Sequence, residues 1–243
     1  MKRLVPLVLV LALAACGGDK SAQTTIRLQP APTDPGKAAV QAALEAAAAG
    51  KIDRLWGMLS AGSRQRLGPT LSRFRSGAGG ELADRFGSLR NAKVIVSERI
   101  TPEFGIVAVD GRRGGKRVVD AVPLRLEGTG WKLELGSPVK IRPIGPLPGK
   151  HEPVVAQIAA AVTGPGGSGT AVMYLDGHTE NPKVAGTSSN STLYASFEPP
   201  LDPGRHTVVV FASDGGDAGA TAWDSPRGAL RARRPSASRA RGS

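Results

Sequence analysis

Residues 117–135 read RVVDAVPLRLEGTGWKLEL. Val118, Val122, Leu124 and Leu126 share one parity, with Asp120 among them, so they line one side of an extended strand. Glu127-Gly128-Thr129-Gly130 turns the chain. Trp131, Leu133 and Leu135 then return inward, with Lys132 and Glu134 outward. A hairpin with one apolar face needs a covering layer. Upstream, KVIVSER at 93–99 and FGIVAV at 104–109 read as two further strands, with DGRRGG at 110–115 a turn-rich loop. Before them the period is helical. Asp34-Pro35 reads as an N-cap and first helical position, and Val40, Ala43, Leu44 and Ala47 follow on one face until Gly50. Ile52, Leu55, Trp56 and Leu59 suggest a second helix, broken at Ser60–Gly62. Leu67, Leu71 and Phe74 suggest a third, and the glycines of SGAGG separate it from Leu82, Phe86 and Leu89. Helices followed by antiparallel strands predict an α+β domain at 34–137, with helices packed on one face of a curved sheet.

Proline and glycine crowd residues 138–152, which read as a linker. Beyond it no helical period recurs. Residues 154–162, TAVMYLDG, STLYASFEP, RHTVVVFASD and ATAW read as short strands, and HTENPKVAGTSSN at 178–190 as a long polar connection. Short strands with regular turn signals predict an all-β sandwich at 153–224.

The ends set the address. Met1-Lys2-Arg3 precedes twelve uncharged residues, 4–15, which span roughly 18 Å as a helix, too short for a bilayer core. The run closes on Leu13-Ala14-Ala15-Cys16, and Cys16 is the chain's one cysteine. This resembles the lipobox of bacterial lipoproteins. The resemblance implies a signal peptide at 1–15, transfer of a diacylglyceryl group to the Cys16 thiol, cleavage between Ala15 and Cys16, and acylation of the new amino terminus by a fatty acid such as palmitate. Several acyl chains hold where one is marginal. Residues 16–33 read as a flexible tether. The tail, 225–243, has six arginines, no acid and little apolar content, and reads as disordered. Net charge is +12, and setting aside the two basic residues of the leader and the six of the tail leaves +4 for residues 16–224. Such a tail suits anionic lipid, and an exported chain has no nucleic-acid partner to meet.

Two further resemblances concern the domains. "AVQAALEAAAAGKIDRLWGMLSAGSR" and "VPLRLEGTGWKLEL" are similar to the opening helices and closing hairpin of the nuclear transport factor two-like cone fold. "LDPGRHTVVVFASDGGDAGATAW" and "MYLDG" resemble strands of bacterial immunoglobulin-like modules, departing at Asp224-Ser225-Pro226, where the last strand reads as cut short. The cone fold implies a pocket, and its proton-transfer relatives set a carboxylate beside a tyrosine, histidine or second acid. Residues 35–137 contain no His, Tyr or Cys. Asp110 and Asp120 are the acids of interest, and Asp120, by its parity, is the candidate polar residue of a pocket.

Other constellations are weaker. His151, His178 and His206 lack metal-ligand spacing. Ser137–Lys140 fits S-x-x-K but sits between domains, without the companion elements such enzymes need. Asp214–Asp217 has too few ligands for calcium and suits a tight hairpin. No metal, cofactor or catalytic residue is therefore expected. The expected protein is a non-catalytic, lipid-anchored component on the extracytoplasmic side of the cell envelope, binding or scaffolding an envelope protein or cell-wall polymer. The alternative is a carrier or sensor with a small apolar ligand in the cone pocket.

Overall fold

The computed structural model describes residues 35–148, 155–164, 169–187, 189–202 and 204–226. Five helices come first: α1 (Pro35–Ala48), α2 (Ile52–Met58), α3 (Ala61–Leu67), α4 (Leu71–Ser76) and α5 (Ala78–Gly87). The Ser60 break is a cap: its side chain accepts the Ser63 N–H and starts α3. Thr70 does the same for α4 through Arg73. The third expected helix is thus two, and the glycines of SGAGG open α5 rather than merely separating elements.

Four strands follow: β1 (Arg90–Arg99), β2 (Phe104–Arg113), β3 (Lys116–Glu127) and β4 (Gly130–Leu133). They form an antiparallel meander, sheet A, in the order β1-β2-β3-β4. The helices cover one face. Val40, Leu55, Leu59, Phe74 and Phe86 meet Val107, Val109, Val122, Leu124 and Leu133 there, all essentially inaccessible.

The remaining strands are β5 (Lys140–Gly145), β6 (Gln157–Thr163), β7 (Thr170–Leu175), β8 (His178–Glu180), β9 (Lys183–Thr187), β10 (Asn190–Ser196), β11 (Arg205–Ser213) and β12 (Ala218–Pro226). They make two four-stranded sheets. Sheet B has the order β5-β6-β10-β9 and sheet C the order β12-β11-β7-β8. Three sequence expectations change here. The expected linker at 138–152 contains β5, which pairs with β6 from Lys140 to Gly145. The expected polar connection at 178–190 contains β8 and β9, polar because both are edge strands facing water. The last strand is not cut short: β12 pairs with β11 from Ala218 to Pro226, so Ser225 and Pro226 belong to the sheet and not to the tail.

Sheets B and C pack face to face. Ile158, Ala160, Val162 and Leu193 meet Met173, Val208, Val210 and Trp223. The opposite face of sheet C is also buried, against the face of sheet A that the helices leave uncovered. Val96, Phe104, Ile106, Ala108 and Ala121 interleave there with Tyr174, Val209, Phe211 and Ala218. Phe104 and Phe211 lie 6.4 Å apart between ring centroids. The layers therefore run helices, sheet A, sheet C, sheet B. The chain is mostly antiparallel β-sheet with a few helices, and its described residues fall in one compact unit. Close approach of β12 to the segment entering β5 requires Gly219, where a Cβ would lie 2.5 Å from the Val139 carbonyl oxygen.

Phe211 is fully buried in the layer between sheets A and C. Phe211→Ala should lower the unfolding free energy by about 3–5 kcal/mol in urea titrations, the usual cost of a buried Phe-to-Ala truncation.

Candidate functional site

Polar side chains collect at the two rims of the seam between sheets A and C. One rim begins at the β2–β3 hairpin. Gly114 and Gly115 take φ of +56° and +77°, the left-handed pair that a two-residue hairpin needs. The loop expected at 110–115 is only this pair, and Asp110–Arg113 continue β2. Arg117 of β3 then grips Asp110, with Nε to Oδ1 at 2.9 Å and a terminal nitrogen to Oδ2 at 2.8 Å. Its other nitrogen crosses to sheet C and donates to Asp224 Oδ1 at 2.7 Å. Thr207 Oγ1 donates to the same Asp224 oxygen at 3.2 Å. The Asp110 hydrogen bonds hold the Arg117 charge above its ordinary pKa against partial burial, and Asp224 adds to the effect. Next along, Asp176 accepts the Thr207 backbone N–H at 2.7 Å and sits 2.7 Å from His206 Nδ1.

The other rim centres on Glu134. Strand parity pointed it outward, yet its side chain is fully buried. Arg66 of α3 donates to one carboxylate oxygen and Arg125 of β3 to the other, the latter at 3.0 Å. Arg66 also reaches Asp217 at 2.7 Å, and Arg125 donates to the Gly216 carbonyl and lies 4.6 Å from the Phe104 ring centroid. Two layers meet on one carboxylate, and the arginines that hold it reach the third. Mid-seam, the Tyr174 hydroxyl of sheet C donates to Glu98 of β1 at 3.0 Å.

Asp120 faces the helices, as its parity indicates. It does not face open space. Arg85 of α5 donates to both its oxygens, Nε to Oδ2 at 2.9 Å, and Arg113 lies 3.7 Å away. Burial works against the Arg85 charge, yet the Asp120 hydrogen bonds and charge raise its pKa overall. The layer between helices and sheet A, where a small apolar ligand would sit, is packed with Leu55, Leu59, Phe74, Phe86 and Leu133, each at most 2% exposed.

The remaining sequence candidates stay apart. His178 begins β8, His206 contacts Asp176 and the Asp202 carbonyl, and His151 lies outside the described residues. Ser137 Oγ accepts the Val139 N–H at 3.1 Å, while Lys140 enters β5. Asp214 accepts the N–H groups of Gly216 and Asp217, closing its own turn. Among the described residues no group of three or more His, Cys, Asp or Glu could hold a metal ion. Ala15, Cys16 and residues 227–243 lie outside the described residues.

Two open hollows flank the Arg117 rim. One, of about 300 Å³, is lined by Lys93, Asp110, Arg112, Arg117 and Arg205. The other, of about 500 Å³, is lined by Lys116, Arg117, Val119, Arg205, Ala222, Trp223 and Asp224, among others. Sequence reasoning missed both rims. The one signal for them was FGIVAV, an apolar run without alternation, which marks a strand buried on both faces.

No protein-family model matches the chain, and no curated protein matches it. Among solved structures, a pair of tandem immunoglobulin domains of titin aligns at 12% identity over 57% of this chain and 95% of that one, with a TM-score of 0.25. A score that low carries no argument.

Glu134→Gln should cost about 1–3 kcal/mol in urea unfolding, the range for losing a charged hydrogen-bond partner in a buried setting. Tyr174 gives a pH signature. Burial, then the hydrogen bond and charge of Glu98, raise its pKa well above the ordinary tyrosine value. A raised folded-state pKa means stability that is complete below about pH 10 and declines as pH climbs beyond it. Unfolding free energy measured across that range should fall with a shallower slope in Tyr174→Phe than in the wild type. Equal slopes would assign the alkaline loss to other groups.

Proposed function

We propose that the chain is a non-catalytic, lipid-anchored envelope protein that presents a rigid binding body on the extracytoplasmic side of a membrane. The observation that carries the binding half is the state of the buried and half-buried acids at the seam and under the helices. Asp110, Asp120, Glu134 and Asp224 are each held by at least one guanidinium. A carboxylate locked to an arginine is a poor general base, since the pairing occupies its lone pairs. These groups join layers, and the body they make is suited to holding a surface in a fixed shape.

The anchor half rests on Leu13-Ala14-Ala15-Cys16 behind its apolar run. No helix among the described residues is long and apolar enough to cross a membrane. In this reading the acyl groups on Cys16 make the attachment, and residues 16–33 tether the body to it.

Finer fold assignments belong to the same proposal. The four-stranded meander with helices on one face supports a nuclear transport factor two-like identity for residues 34–137. The sandwich reads as immunoglobulin-like. The order β5-β6-β10-β9 facing β12-β11-β7 follows the arrangement of such domains, four strands against three, with β8 added at the edge of the smaller sheet.

Metabolic labelling in a bacterial host tests the anchor. Radiolabelled palmitate should enter the wild-type chain and not Cys16→Ser, and the variant should leave the membrane pellet. Label in the variant, or unchanged pelleting, contradicts it.

A further inference from the structure

The Arg117 rim is uneven in charge. Arg117 and Arg205 line both hollows, so the two run together as one groove along the mouth between β3 of sheet A and β11–β12 of sheet C. Lys93 and Arg112 add charge at one end and Lys116 at the other. The acids lining the groove are Asp110 and Asp224, and Arg117 already holds both. Five cations against two acids leave the groove at +3. Lys93, Lys116 and Arg205 are exposed, and among the described residues no carboxylate pairs with them. Under these cations the larger hollow has an apolar floor of Val119 and Ala222.

Clustered like charges destabilise a fold unless something of opposite sign is brought to them. The layout selects among anions. A bilayer surface meets the rim but cannot reach a floor set between two sheets. A single-headed amphiphile places its charge at one end, whereas the cations here occupy both hollows. A polyanion without apolar groups leaves the floor unused. A chain with acids at intervals and apolar side chains between them matches both features.

We propose that this groove binds an extended acidic peptide segment of another envelope protein, its carboxylates on Arg205, Lys116 and Lys93 and its apolar side chains over Val119 and Ala222. The inference rests on the chain being a binding protein and gives its partner a chemistry; it does not depend on acylation of Cys16.

Fluorescence anisotropy on the full chain in neutral detergent tests it, with labelled decapeptides of alternating Glu/Leu, Glu/Ser and Lys/Leu. The Glu/Leu peptide should bind saturably, more weakly as salt rises, and the Glu/Ser peptide several-fold less well. The double variant Arg205→Glu, Lys116→Glu should weaken Glu/Leu binding by about tenfold or more, since charge reversal at a binding rim makes attraction repulsion. Its urea midpoint should be no lower than that of the wild type, because neither side chain holds a described partner and the reversal relieves like-charge repulsion. Lys93→Glu, at the far end, should weaken binding by a smaller factor. Equal binding of Glu/Ser and Glu/Leu, equal binding of Lys/Leu, or wild-type binding by the double variant would overturn the proposal. So would phosphatidylglycerol vesicles binding in place of the peptide with the same loss in the variant. Peptide binding without palmitate incorporation sinks the anchor alone, and the converse sinks the groove alone.

Discussion

The structure depends on a dry layer in which sheet A and sheet C bury each other. Phe104, Ile106 and Ala108 of β2 meet Val209 and Phe211 of β11, and none of these five is more than 2% exposed. Each strand also buries its alternate side chains on the opposite face: Val107 and Val109 against the helices, Val208 and Val210 against sheet B. β2 and β11 are therefore core strands twice over. A sheet apolar on both faces cannot stand with one face in water, because each exposed face would cost about 25 cal/mol per Å² of apolar surface left uncovered. The helix-covered sheet and the sandwich are thus halves of one packed body.

The polar rims follow from that layer. A dry seam must end in side chains that can meet both water and the apolar edge, and arginine does this with its stem along the seam and its guanidinium at the rim. Arg117 links sheet A to Asp224 of sheet C, and Arg66 and Arg125 link the helices and sheet A to the β11–β12 turn around Glu134. These pairs fix how the two sheets align, a geometric demand that apolar contacts alone set loosely. The acids they hold have their oxygens occupied by guanidinium groups. Lys93, Lys116 and Arg205 at the Arg117 rim are exposed and, among the described residues, pair with no carboxylate.

Much of the local order was legible in the sequence. The parity of Val118, Val122 and Leu124 placed the helix-facing side of β3, and Asp120 faces that side with them. Its partner Arg85 was not legible, because a contact across 35 positions leaves no trace in either residue's local period. The reading of Glu134 as outward does not foretell its burial, because alternation in WKLEL distinguishes the two sides of a strand but not what covers each. β5 hid inside a run of prolines that reads as a linker, since an edge strand tolerates proline where a central strand does not. β8 and β9 hid for the opposite reason: short, exposed edge strands have no apolar face to display. The rim networks draw on α3, β2, β3, β11 and β12 together, and only tertiary packing brings those five elements to one seam.

Native-state hydrogen exchange with rising urea tests the shared layer most directly. Amides at the centre of β2 and of β11 should merge into one isotherm and open with a single free energy, as strands of one cooperative unit do. If the β11 amides, together with those of β6 and β10, exchanged through their own lower-energy opening while β2 stayed protected, the halves would be separable modules. That outcome would contradict a core shared between sheets A and C.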